Sequence, residues 1–211
     1  MSRGVFISFE GGEGAGKSTQ LRRLADRIKQ DGREVVTTRE PGGSPGAEAI
    51  RDLLVTGAAD RWSPITETLL MYASRRDHIE RVIAPALARG AVVLCDRFAD
   101  STRAYQGAGG GASAALIAAL EVHVLERLRP DLTLILDLPV SDGLARAVGR
   151  GGAEARFESK GEAFHERLRA GFLAIAAAEP DRCRVLDASG DEDSVAHAVW
   201  RAVERILAAT S

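Results

Sequence analysis

Gly11, Gly16, Lys17 and Ser18 stand in the spacing G-x-x-x-x-G-K-S within "FEGGEGAGKSTQL", residues 9–21. Glycines at those places let backbone N–H groups turn inward around phosphate oxygens. The lysine reaches the outer phosphates, and the serine hydroxyl takes a magnesium ion. The stretch follows an apolar run and opens a segment with helical spacing, the context that gives this motif its meaning. Gly11, Gly12, Glu13, Gly14, Ala15, Gly16, Lys17, Ser18 and Thr19 are the expected phosphate cradle. No glycine of the loop has partners at both +2 and +5, so the dinucleotide pattern is absent. Asp96 closes the apolar run "VVLCD", where a carboxylate at a strand end helps to hold magnesium beside Ser18.

Two acids sit in this stretch. An unpaired carboxylate beside a triphosphate costs several kcal/mol at low effective dielectric, so Glu13 needs a partner or must turn outward into solvent. Glu10 ends the preceding run and is free to point away from the phosphates.

These residues need a frame. Short apolar runs recur at 5–10, 34–39, 91–96, 132–137 and 183–188, most of them continuous. Continuous runs suit strands buried on both faces, and helical spacing lies between them, as in 18–32, where Leu21, Leu24 and Ile28 share a face and Gly32 stops the helix. The alternation predicts an α/β fold with a parallel sheet and ligands beyond the carboxyl ends of its strands. "GAGGGAS" (107–113) reads as a glycine-rich loop, and "GRGGAEARFESKG" (149–161) as either a flap or a solvated connector.

Composition narrows the function. The chain has 211 residues and a net charge of −2, so one domain is expected, 1–211, and no broad basic surface for nucleic acid or acidic membrane. The two cysteines, Cys95 and Cys183, frame no metal site or disulfide scaffold, and Cys95 reads as a buried thiol. No signal-like or membrane-length apolar stretch occurs, so a cytoplasmic protein is expected. No NKxD guanine reader occurs, and the chain is short for a motor or transporter ATPase. The four histidines are scattered and read as surface or packing residues.

Three further segments, "TREPGG" (38–43), "LLMYASRRD" (69–77) and "DRFADSTRAYQG" (96–107), stand in order after "EGGEGAGKST". Together they resemble bacterial thymidylate kinase, over about residues 5–206. The resemblance implies transfer of the γ-phosphoryl of ATP to thymidine monophosphate, giving the diphosphate, with Mg²⁺ as cofactor. It implies a P-loop three-layer fold with a five-stranded parallel sheet flanked by helices, a short lid at about 146–160, and a homodimer. Arg97 then contacts the acceptor phosphate, and Arg75, four residues after Met71, binds the monophosphate. Met71 departs from the family's aromatic at the base-stacking place. Arg39 and Arg51 lie near the acceptor with Pro41 as a pocket wall, and Thr102, Tyr105 and Gln106 read base and sugar. The acid of the loop, Glu13, approaches the 3′-hydroxyl.

The chemistry agrees. An acceptor phosphate with a second pKa near roughly 6 is already nucleophilic at neutral pH, so the need is for positive charge in line, not for a base. The loop's only cation is Lys17; a further one is expected from Arg146, Arg150, Arg156 or Lys160 of the lid, with Arg150 and Arg156 favoured. The alternatives are a P-loop kinase for another nucleotide or nucleoside, and a nucleotide-binding module without an acceptor.

Overall fold

The computed structural model describes residues 3–58, 60–148 and 160–209. Five strands form where the apolar runs predict them: β1 (Phe6–Glu10), β2 (Val35–Arg39), β3 (Val92–Asp96), β4 (Leu132–Asp137) and β5 (Cys183–Asp187). They make one parallel sheet in the order β2-β3-β1-β4-β5. The strands with continuous apolar runs, β1 and β4, are central and buried, whereas β2 and β5 are half-exposed edges. All five end on a charged residue: Glu10, Arg39, Asp96, Asp137 and Asp187. The polar site therefore gathers at their carboxyl ends.

The helices are α1 (Lys17–Gln30), α2 (Pro45–Val55), α3 (Pro64–His78), α4 (Ala84–Ala88), α5 (Ala99–Thr102), α6 (Ala114–Val124), α7 (Val140–Val148), α8 (Glu162–Ala178) and α9 (Glu192–Ala208). In α1, Leu21, Leu24 and Ile28 are buried, and the helix stops before Gly32, whose φ of 78° a side chain would resist. Alternation along β1 divides the core. Ile7 and Phe9 pack with α1 and with Val195, Val199 and Val203 of α9. Phe6 turns the other way, against Ile83, Leu87 and Phe98. Ser8 and Glu10 follow Phe6 by the two-residue period, so they face the segment after β3. Each buried Leu or Ile stabilises by roughly 1.5–3 kcal/mol.

One sequence expectation changes. Residues 107–109 are not loop: a π-helical stretch, Arg103–Gly109, continues α5, and the loop proper is 110–113. The glycines serve close packing here. A Cβ on Gly109 would meet the Phe164 ring of α8 at 2.6 Å, and one on Gly107 would meet Ile117 of α6 at 3.1 Å. A second π-helical stretch, Ile79–Ile83, extends α3. Wide turns of this kind recur at functional sites, and the first of these carries Tyr105 and Gln106. The lid arginines Arg150 and Arg156 lie outside the described residues, between α7 and α8.

Candidate active site

The loop after β1 turns sharply into α1. Gly16 precedes the helix at φ 85°, and a Cβ on Gly14 would meet the Gly143 carbonyl of α7 at 2.1 Å. Only glycine allows that approach. The Lys17 ammonium folds back over the loop, donating to the carbonyls of Gly12 at 2.8 Å and Gly11 at 3.2 Å. Beside it the Ser18 hydroxyl and Asp96 Oδ2 stand 2.5 Å apart. These two hard oxygens, from α1 and the end of β3, suit a magnesium ion that keeps waters and phosphates as its other ligands. Among the described residues no cluster of three or more His, Cys, Asp or Glu is placed to hold a metal ion.

Beyond α1 an open hollow is lined by Gly14, Thr19, Arg146, Ala188 and Asp191. Its floor is the loop 188–191 after β5, where Arg146 donates to the Ala188 carbonyl at 3.3 Å. Lys160, the other described lid cation, lies 4.6 Å over the Phe164 ring.

A second pocket, of about 440 Å³, opens on the other side of Glu13. Pro41, Met71, Arg75, Arg97, Thr102, Tyr105 and Gln106, all expected at the acceptor, line it. Arg75 is only 2% exposed. Its Nε donates to Glu40 Oε2 at 2.7 Å, and its Nη2 donates to the Phe98 carbonyl and to Thr102 Oγ1. Among the described residues Nη1 has no hydrogen-bond partner, so both N–H groups of that nitrogen of a buried cation are open to a ligand. Arg97 stands at φ 70°, a strained place for a side-chain residue, and donates to the Gly11 carbonyl at 2.9 Å and to Glu13 Oε1 at 3.0 Å. The Tyr105 hydroxyl donates to the same Glu13 oxygen at 2.5 Å. Gln106 is fixed by its amide, which donates to Glu67 of α3 at 2.9 Å.

The two loop acids part company. Burial alone would push Glu13 up, but the charges of Arg97 and Lys17 and the Tyr105 hydroxyl outweigh it and hold the carboxyl at about 2. Glu13 is therefore charged, paired and turned into the pocket, not outward. For Glu10, burial and then the nearby Asp100 win over Ser101, Arg97 and the Phe98 N–H, and the carboxyl is pushed up to about 8. Glu10 does point away from the phosphate loop, and braces the segment after β3 instead.

Two residues sit differently from their neighbours. Arg51 is buried, donating to the Pro41 carbonyl at 2.8 Å, so it supports the pocket wall. Arg39 is outside: it is largely exposed, pairs with Glu48 and does not line the pocket.

A family model described as thymidylate kinase matches residues 9–199. The thymidylate kinase of Caulobacter vibrioides is 75% identical over 199 residues, 94% of this chain and 95% of that protein. The chain belongs to the thymidylate kinase family. A second family member, from Bradyrhizobium diazoefficiens, is 53% identical over 97% of this chain and 91% of its own. The crystal structure of thymidylate kinase from Ehrlichia chaffeensis superposes with a TM-score of 0.77 at 33% identity, covering 94% of this chain and 98% of that one. The fold and the enzyme class, a nucleoside monophosphate kinase, follow from that membership.

Sequence reasoning missed the residues that hold these thymidylate kinase positions in place. Glu40 takes Arg75 on one oxygen and His78 Nδ1 on the other at 2.9 Å. His78 is fully buried and also meets Thr38 at 2.7 Å, so it has partners that its place in the sequence did not show. Glu40 stands inside the quoted "TREPGG"; a buried acid there was the one available signal.

Proposed function

We propose that this chain transfers the γ-phosphoryl of magnesium-bound ATP to thymidine monophosphate, releasing ADP and thymidine diphosphate. The observation that carries the reading is the pocket beside the phosphate loop, where the buried guanidiniums of Arg75 and Arg97 stand with Gln106, Tyr105 and Glu13. A donor alone would need no such second site.

The residues divide the work. Lys17 leaves its loop carbonyls for the outer phosphates, and the loop N–H groups cradle the rest. Ser18 and Asp96 would hold Mg²⁺, which when bound neutralises charge on the donor phosphates. Arg75 and Arg97 hold the acceptor phosphate in line with the donor, the term that matters most when the nucleophile needs no base. The Gln106 carboxamide offers both a donor and an acceptor to the thymine edge. Glu13 takes the 3′-hydroxyl, and Tyr105 crowds the 2′ position in favour of deoxyribose. Arg150 or Arg156, outside the described residues, supplies the further cation for the transferring group.

Two broader expectations belong to the same reading. The enzyme acts in the cytoplasm, and no helix among the described residues is long and apolar enough to cross a membrane. It works as a homodimer: Leu53 of α2 and Ile65 and Leu69 of α3 are exposed large apolar side chains that a second copy would cover. Ile65→Glu should then give a monomer in analytical ultracentrifugation.

The test is ADP formation with Mg-ATP and a panel of acceptors, with Lys17→Ala as the blank. The panel holds thymidine monophosphate, deoxyuridine monophosphate, thymidine, and the adenine, cytosine and guanine monophosphates. Strong turnover of thymidine monophosphate, lost in the variant, is expected. Turnover of another acceptor alone would overturn the pocket assignment, and hydrolysis without acceptor would point to a nucleotide-binding module.

A further inference from the structure

Glu10 has no part in the mechanism above, yet it lies one hydroxyl away from the acceptor pocket. The β1 alternation sends it, fully buried, toward the segment after β3. Its Oε1 accepts the Phe98 N–H at 2.8 Å, and its Oε2 stands 2.5 Å from the Ser101 hydroxyl oxygen. Ser101 lines the acceptor pocket, and Arg97 Nη1 donates to the same hydroxyl oxygen at 3.4 Å. A serine has one proton to give. If Glu10 is charged, that proton goes to Oε2, and Ser101 shows the pocket only lone pairs. If Glu10 is neutral, its own O–H donates to Ser101. The serine proton then turns away from both Glu10 and Arg97, toward the pocket.

We propose that Glu10 is a positioning residue for the acceptor: when neutral it turns the Ser101 hydroxyl outward as a donor to the acceptor phosphate, and when charged it withdraws that donor. The charged form also adds a negative charge behind a site built for an anion. The inference rests on the reading that this pocket takes a nucleoside monophosphate. The surroundings favour the neutral form. Burial is the largest influence, followed by Asp100 of α5, which Arg182 grips with two hydrogen bonds at 2.7 and 2.8 Å. Ser101, Arg97 and the Phe98 N–H act the other way. Among the described residues, Arg75 of α3, Cys95 of β3 and Cys183 of β5 also feel the charge of Glu10.

Glutamine copies the neutral acid, with an oxygen for the Phe98 N–H and an amide proton for Ser101. The experiment follows kcat/KM for thymidine monophosphate at saturating Mg-ATP, with calorimetric affinity for the same nucleotide, from pH 6.5 to 9.5. Wild-type, Glu10→Gln, Glu10→Ala and Ser101→Ala are compared. In the wild type, kcat/KM for the acceptor should fall about fivefold or more between pH 7 and 9, with the KM for ATP unmoved. Glu10→Ala should lose acceptor affinity, Glu10→Gln should restore it, and the restored enzyme should lack the alkaline fall. Ser101→Ala should weaken acceptor binding about tenfold at pH 7 and also lose the pH dependence. If the position 10 variants do not fold, the wild-type and Ser101→Ala profiles decide alone. A wild-type profile flat to pH 9, or the same fall in Ser101→Ala, would overturn the proposal. Absence of thymidine monophosphate turnover in the wild type at every pH would instead remove the acceptor reading beneath it.

Discussion

Tyr105 and Arg97 meet on one atom: the phenol and the Nη2 of the guanidinium both donate to Oε1 of Glu13, at 2.5 and 3.0 Å. The guanidinium carbon also lies 4.8 Å over the Tyr105 ring. Tyr105, Arg97 and the phosphate loop are thus one hydrogen-bonded unit. Glu13→Gln breaks its charge. The variant should lose about 10–100-fold in kcat/KM for thymidine monophosphate, the worth of a hydrogen bond to a charged group. Steady-state kinetics with the acceptor varied checks this; an unchanged value would mean that Glu13 does not reach the substrate.

The two loop acids should leave opposite marks on stability. Glu10 has a raised folded pKa, from 4.5 to about 8, so its contribution is full below pH 4.5 and is lost as pH rises toward 8. Glu13 has a lowered one, from 4.5 to about 2, so its contribution is present above pH 4.5 and is lost as pH falls toward 2. Melting temperature against pH should therefore flatten between pH 4.5 and 8 in Glu10→Gln and below pH 4.5 in Glu13→Gln. Parallel curves for both variants would contradict the two environments.

Arg75 and Glu40 are a buried ion pair, with side chains 2% and 3% exposed. Removing the cation in Arg75→Ala strands the acid, a loss of about 3–5 kcal/mol in chemical denaturation. Arg75→Lys keeps the charge but cannot reach Glu40, Phe98 and Thr102 together. It should fold and lose acceptor affinity at least about tenfold. Equal stability of Arg75→Ala and wild type would show that the pair carries little.

Met71 lines the pocket proposed for the acceptor and is 9% exposed. Met71→Phe should lower the acceptor KM by about fivefold, for a stacking gain on the order of 1 kcal/mol. An unchanged KM would indicate that Phe98, which lines the same pocket, already supplies the ring contact.

If the lid supplies the missing cation, the pair Arg150→Ala and Arg156→Ala should lower kcat by about 10³ in at least one single variant, with ATP affinity less affected. Wild-type kcat in both singles would end the lid mechanism and turn attention to Arg146.

Much of this was legible in the chain. The apolar runs of β1 and β4 reported burial on both faces, and the spacing of Leu21, Leu24 and Ile28 reported the buried face of α1. The phosphate loop was readable because all its parts are consecutive. What stayed hidden was pairing across distance. Arg75 and Glu40 are 35 residues apart, and Arg97 and Glu13 are 84 apart, so no periodicity links them. Arg51 and Arg39 looked alike as arginines near "TREPGG", yet one anchors Pro41 and the other faces solvent. Gly107 and Gly109 read as freedom and proved to be tight packing against α6 and α8.

The backbone at Arg97 is in a region that favours glycine, φ 70°, at a cost of about 1–3 kcal/mol. Arg97→Gly would relax that strain but would strand the buried carboxylate of Glu13, a larger loss of about 3–5 kcal/mol. The tense backbone at this position is therefore held by the acid opposite it, and the two residues can be exchanged only as a pair. A variant library scored for thermal survival should keep arginine at 97 wherever it keeps an acid at 13.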